Sequence, residues 1–247
     1  MKLIAPFITL LVLATHAFAQ TGAAPVFSVA PGDCDRSYVH LYKPGGVRNT
    51  GFFKPDGKFT GLLTVKGFSK DKTAEYVKIA EANPAKVDIV LDGHSIAEAW
   101  VAKPGQEHGI QARMPTLDDA FKMAKALVNA DPATDKKYLA DATAPAPGSG
   151  DLVFAITTAD VSGVAVMIYK SRTNLHIDYS KEKQAEFSKI AAGNVGKNVT
   201  ITLNGKAASV QPITKPAWGQ AVNVVMPSPE EAFEMAKALV GPGVNTL

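Results

Sequence analysis

The residue types able to do chemistry are few and scattered. Beyond residue 19 the chain has four histidines, His40, His94, His108 and His176, and one cysteine, Cys34. None of them stands at the H-x-x-x-H or C-x-x-C spacing that brings two ligands onto one metal ion. Asp33-Cys34-Asp35 could ligate a metal, or could form an acidic turn. The stretch Gly193-Asn-Val-Gly-Lys197 hints at a phosphate loop, but it lacks G-x-x-x-x-G-K-[ST] and follows a helical pattern instead of a strand. A helix end and a turn account for it. No G-x-S-x-G nucleophile elbow occurs. Asn198-Val-Thr200 fits a glycosylation sequon, a triplet that arises often by chance. Catalysis needs a nucleophile beside a base, a carboxylate pair or a bound metal. The expectation is therefore no catalytic residue, no metal and no cofactor.

Two features could carry binding instead. The first is the segment 102–105, which holds Lys103 and Pro104, with its counterpart 214–217, which holds Lys215 and Pro216. Trp218 follows the second segment and Trp100 precedes the first. A loop tryptophan offers a large amphipathic contact surface, or else packs on its own module. The second feature is a sheet face or an open edge, which could pair with an extended peptide through backbone hydrogen bonds.

An address precedes these residues. Met1-Lys2 gives a basic start, residues 3–13 are mostly apolar, and Ala17-Phe18-Ala19 precedes Gln20. That is the pattern of a secretory signal peptide cleaved after Ala19. The apolar run is shorter than the roughly 20 residues of a spanning helix. A periplasmic or secreted protein is expected, with no stable membrane insertion after cleavage. The formal net charge of +3 points to neither nucleic acid nor an anionic membrane as partner. A hydrophobic fraction of 46% suits a globular chain. One cysteine excludes an internal disulfide. Cys34 could be a buried small residue, a free thiol or an intermolecular bridge, and the first is favoured for this often-buried residue type.

The elements that must position the binding features are written twice. Residues 114–128 read MPTLDDAFKMAKALV, and residues 226–240 read MPSPEEAFEMAKALV. At the same offset of 112, DIVLDG at 88–93 matches TITLNG at 200–205. Residues 68–80 match 179–191 at an offset of 111. His94 and His108 then have Lys206 and Gln220 as counterparts, so a metal site there would be missing from its twin. Between the copies, 131–150 ends in Ala-Pro-Ala-Pro-Gly-Ser-Gly, the composition of a linker.

Each copy predicts one order of elements. A strand (61–66; 174–178) leads to a helix (70–82; 181–192) capped by Ser69 or Ser180. The helix stripe is Tyr76, Ile79 and Ala80, repeated as Phe187, Ile190 and Ala191, with i, i+3, i+4 spacing. A hairpin follows, 87–91 to 95–101 and 199–203 to 207–213. It turns at Asp92-Gly93 or Asn204-Gly205, dipeptides that reach positive φ at little cost. A third strand (110–114; 221–226) precedes a last helix capped by Thr116 or Ser228, with Pro229 opening the second one. Its stripe includes Phe121 or Phe233 and is expected to pack on the sheet.

The second copy reads Ile177-Asp-Tyr-Ser, then Phe187, Asn194-Val-Gly-Lys197, Leu203-Asn-Gly-Lys206, Pro212-Ile213, and Glu230-Glu-Ala232 opening a helix. This succession resembles the head of the large periplasmic domain of the SecD family, the accessory subunit of the bacterial Sec translocase. The first copy keeps Leu91-Asp92-Gly93 and lacks the N-x-G-K element. The resemblance covers about the last 75 residues well and implies a free-standing head, doubled and without the family's transmembrane part. In the family the head is held to touch polypeptide emerging from the channel, a role carried by analogy of fold.

The expected fold is α+β: two tandem β-α-β-β-β-α modules, each a small sheet with helices on one face. The expected organisation is a signal peptide at 1–19, modules at 25–130 and 151–247, and a linker at 131–150. The expected function is non-catalytic binding of polypeptide or a partner protein, with translocase subunits among the candidates. The alternatives are an enzyme inhibitor, above all of a protease, and a small-ligand binder at the cleft between modules.

Overall fold

A computed structural model describes residues 24–43, 59–82, 87–101, 109–129, 148, 151–216, 219 and 221–244. The expected signal peptide lies outside them, as does the linker apart from residue 148.

The first half runs β1 (Val26–Val29), β2 (Cys34–Tyr42), β3 (Gly61–Phe68), α1 (Lys70–Ala82), β4 (Asp88–Leu91), β5 (His94–Ile96), β6 (Ala99–Val101), β7 (Gly109–Met114) and α2 (Leu117–Val128). The second runs β8 (Val153–Ile156), β9 (Val161–Tyr169), β10 (Thr173–Tyr179), α3 (Lys181–Ala192), β11 (Asn198–Leu203), β12 (Lys206–Pro212), β13 (Ala221–Met226) and α4 (Pro229–Val240). The α+β class stands, and each predicted helix and hairpin is in place. Asp92 and Asn204 take φ of 47° and 46° at the hairpin turns, and Gly93 and Gly205 take 77° and 82°. Both central residues of each turn are thus left-handed, as the strand twist requires. Thr116 Oγ1 accepts from the Asp119 amide and Ser228 Oγ from the Glu231 amide, capping α2 and α4.

Two strands per half go beyond the expected order. β1 and β2 precede the first predicted strand, and β8 and β9 precede its counterpart. They assemble the molecule. β1 pairs in parallel with β4, and β8 with β11, giving each half a three-stranded sheet, β1-β4-β5 or β8-β11-β12. β2 and β9 pair antiparallel at the centre of one seven-stranded sheet, ordered β13-β10-β9-β2-β3-β7-β6. The two halves therefore share a sheet. A second departure is local. The returning strand predicted over 95–101 breaks into β5, which pairs with β4, and β6, which pairs with β7. At the break, Glu98 accepts from the Arg113 amide through its carbonyl and from Arg113 Nη1 through its carboxylate, at 2.5 Å.

The packing is two-fold in character. Val39 of β2 lies directly opposite Val166 of β9, at equivalent places in the two halves. Helices α2 and α4 cover one face of this sheet, where Ser37 Oγ donates to the Ala124 carbonyl of α2. Above the strand junction Phe121 stacks on Phe233, its own counterpart, with ring centroids 4.2 Å apart and planes 1° apart. Lys125 of α2 forms an ion pair with Glu230 of α4 across the same seam. The approach of α2 to the sheet is close. A Cβ on Gly61 would stand 2.2 Å from the Thr116 carbonyl oxygen, so only glycine fits there.

Each half also builds one aromatic cluster where helix meets small sheet. Phe27, Phe68 and Tyr76 gather in the first, with centroids 5.6 to 5.9 Å apart. Phe154, Tyr179 and Phe187 occupy the same places in the second. Lys72 lies over Phe27 and near Asp33, and Lys183 lies over Phe154 and near Asp160. A cation shared between an aromatic face and a carboxylate ties the start of each helix to the turn before β2 or β9. Cys34 is buried beside this turn, and burial raises its thiol pKa to about 12. The shift from 9.0 reduces the reactive thiolate ~1,000-fold at neutral pH. Ellman's reagent is expected to leave the native protein unlabelled and to titrate one thiol in denaturant.

Candidate binding site: a groove made twice

The sequence candidates fall only partly on the described residues. Lys103, Pro104, His108 and Trp218 lie outside the described residues. Trp100 sits on β6 with its backbone opposite Gln111. Lys215 and Pro216 are exposed beyond β12. Asp33 closes a turn by accepting from the Ala30 amide at 2.8 Å. The segment 193–197 is a helix end, where the Asn194 side chain donates to the Ile190 carbonyl and Lys197 donates to Asn194.

Two histidines do come into one row. Register aligns Asn223, His176, Ala165 and His40 across four neighbouring strands. His176 shares a hydrogen bond with Asn223 Oδ1 at 2.8 Å and lies 3.4 Å from the Asp178 carboxylate, which raises its pKa. His40 is stacked on Tyr42 and bonded to Thr64 Oγ1 at 3.0 Å, and burial lowers its pKa to about 4. One ring is held toward the cation and the other toward the neutral form. Among the described residues no group of three His, Cys, Asp or Glu side chains converges as metal ligands do.

What the structure assembles is a groove, once in each half at equivalent positions. Its first wall is the edge strand of the small sheet, β5 or the start of β12. Its second wall is helix α2 or α4. Its floor is the end of β7 or β13. In the first half His94, Ser95 and Ile96 face Asp119, Lys122, Met123 and Ala126 over Met114 and Pro115, around about 490 Å³. In the second half Lys206, Ala207 and Ala208 face Glu230, Glu231, Glu234, Met235 and Ala238 over Met226 and Pro227, around about 640 Å³. The groove exists because each final helix packs on the large sheet while the hairpin belongs to the small one. The two layers diverge, and short residues (Ala126, Ala207, Ala208, Ala238) line the gap.

The two copies of the groove differ in cover and in charge. Phe59, from the long connection between β2 and β3, lines the first groove, and the Arg113 guanidinium lies 4.9 Å from its ring. The matching connection in the second half is only residues 170–172 and supplies no such ring. Met114 and Met123 are buried, whereas Met226 and Met235 are partly exposed. Lys122 occupies the first groove where Glu234 occupies the second. Glu230 is held below the usual carboxylate range, chiefly by its hydrogen bond from Lys125. Sequence reasoning missed this site because one wall is a strand of the small sheet and the other a helix packed on the large sheet. The repeated Met-Pro ahead of each last helix, and the repeated methionine within it, were its visible traces.

Among the described residues no helix is long and apolar enough to cross a membrane. No protein family model matches the chain, and no curated protein does. Among solved structures, the chain is similar to SecDF crystallised in its super-membrane-facing form. The alignment covers 86% of this chain and 29% of that one, at 17% identity and a TM-score of 0.32.

Proposed function

We propose that this protein is an exported, non-catalytic binding protein that holds extended polypeptide, in the setting of protein export. The observation that supports the reading is the groove bounded by an edge strand and built in both halves. An edge strand presents backbone N–H and C=O groups that no ladder uses, and an extended chain can take them up whatever its sequence. Methionine floors suit such a role, because the flexible thioether adapts to apolar side chains of many shapes. The resemblance of the second copy to the SecD head points the same way.

The test is photo-crosslinking in cells. A benzoylphenylalanine at Ala208, inside the second groove, is compared with one at Lys189, on the exposed side of α3. The expected result is adducts with many exported chains or translocase subunits from position 208 and few from 189. Adducts with one enzyme alone would favour an inhibitor. No protein adducts at either position would overturn the reading.

A further inference from the structure

We infer that the two grooves divide the work by charge: the groove of the second half takes an extended segment in which a lysine or arginine flanks an apolar side chain. The inference rests on the polypeptide-binding reading above and names the partner chemistry at that site. Glu231 and Glu234 stand three residues apart on α4, so their carboxylates are neighbours on one helix face, and both residues are exposed. Both line the second groove. Glu231 enters no ion pair among the described residues, and Glu234 is paired with Lys237, one turn along its own helix. An arriving cation thus meets an acidic rim on the α4 side, with Lys206 on the facing strand. Below that rim, partly exposed Met226 and Met235 offer an apolar floor, and Ala208 is too short to fill it.

The wall favours an extended occupant. β12 pairs only with β11 in its sheet and carries an irregularity opposite Ile201 and Thr202, where Ala208 is left out of the register. Such a bulge re-aims side chains at a sheet edge, and the outer side of β12 pairs with no other strand of its sheet. The first groove differs on both counts. Lys122 replaces the acid at the position of Glu234, and Phe59 occupies space over the floor. A basic segment is therefore expected to choose the second groove.

The experiment uses the full mature chain and two labelled ten-residue peptides of identical apolar pattern, one carrying two lysines and the other two glutamates. Fluorescence anisotropy reads their binding at low and moderate salt. The lysine peptide is expected to bind roughly 3- to 10-fold more tightly, with the preference shrinking as salt screens it. E231K/E234K is expected to reverse the preference, and K122E to leave it in place. Both substitutions lie on exposed helix positions, and circular dichroism checks that the fold is kept. Equal binding of both peptides, unchanged in E231K/E234K, would overturn the charge assignment and leave polypeptide binding standing. Binding of neither peptide would overturn both.

Discussion

Phe233→Ala is expected to destabilise the protein by about 3–5 kcal/mol, the usual cost of truncating a buried aromatic. The ring is 4% exposed and stacks face to face on Phe121, with the Lys237 ammonium 4.7 Å from its centroid. Removing it opens a void between α4 and α2 and strips Phe121 of its partner. From the sequence alone, each phenylalanine is expected to pack on its own sheet and to matter equally. The structure makes them one contact between halves, with Phe121 only half-buried. Phe121→Ala is accordingly expected to cost less. The double variant is expected to cost less than the two single losses together, because one shared stack is lost only once. Urea melts of the four proteins test this. A loss under about 1 kcal/mol for Phe233→Ala would show that the helices do not meet as described.

Acidification from pH 6.5 to pH 4 is expected to remove roughly 3 kcal/mol of stability through His40 alone. Burial lowers the His40 pKa from 6.5 to about 4, so between those values the unfolded chain takes up a proton that the folded chain refuses. Stability then falls as pH falls across this window. Below about 4 the loss is complete. His176 works with the opposite sign. Its hydrogen bond to Asp178 raises its pKa, so its contribution is whole below 6.5 and fades as pH rises through the folded value. The two histidines together place a stability maximum near pH 6.5. Denaturant midpoints of the wild type and of His40→Gln, taken from pH 4 to pH 8, check the assignment. The variant is expected to be weaker at pH 7 and to lose much less on acidification. Equal slopes for both proteins below pH 6.5 would remove His40 from the account.

How much of this was legible beforehand differs by element. The two final helices were plain, because a capping serine or threonine, a stripe at 3.6-residue spacing and a repeated fifteen-residue stretch all agree. The hairpin turns were plain because Asp-Gly and Asn-Gly have one cheap conformation. β1, β2, β8 and β9 escaped notice although Val26-Phe27 answers to Val153-Phe154, Asp33 to Asp160 and Tyr42 to Tyr169. Their offset is 127, not 111, since the connection over 43–60 is far longer than that over 170–172. The candidate site was legible only in parts. In the sequence, Asp119, Glu230 and Glu231 read as helix starts, and Met114 and Met226 as strand ends.

The sequence sets the local conformations and shows the doubling of the module, because caps, turn dipeptides and apolar periodicity act within a few residues. It also determined which side chains are apolar enough to form a core. Tertiary structure alone decided that the halves join through β2 and β9, that two equivalent phenylalanines meet across that seam, and that a hairpin of one sheet leans away from a helix of another to leave a groove. Strand partners are chosen by register and by the whole buried surface. Side chains far apart in the chain must then come within a few ångströms, and no short-range pattern records that choice.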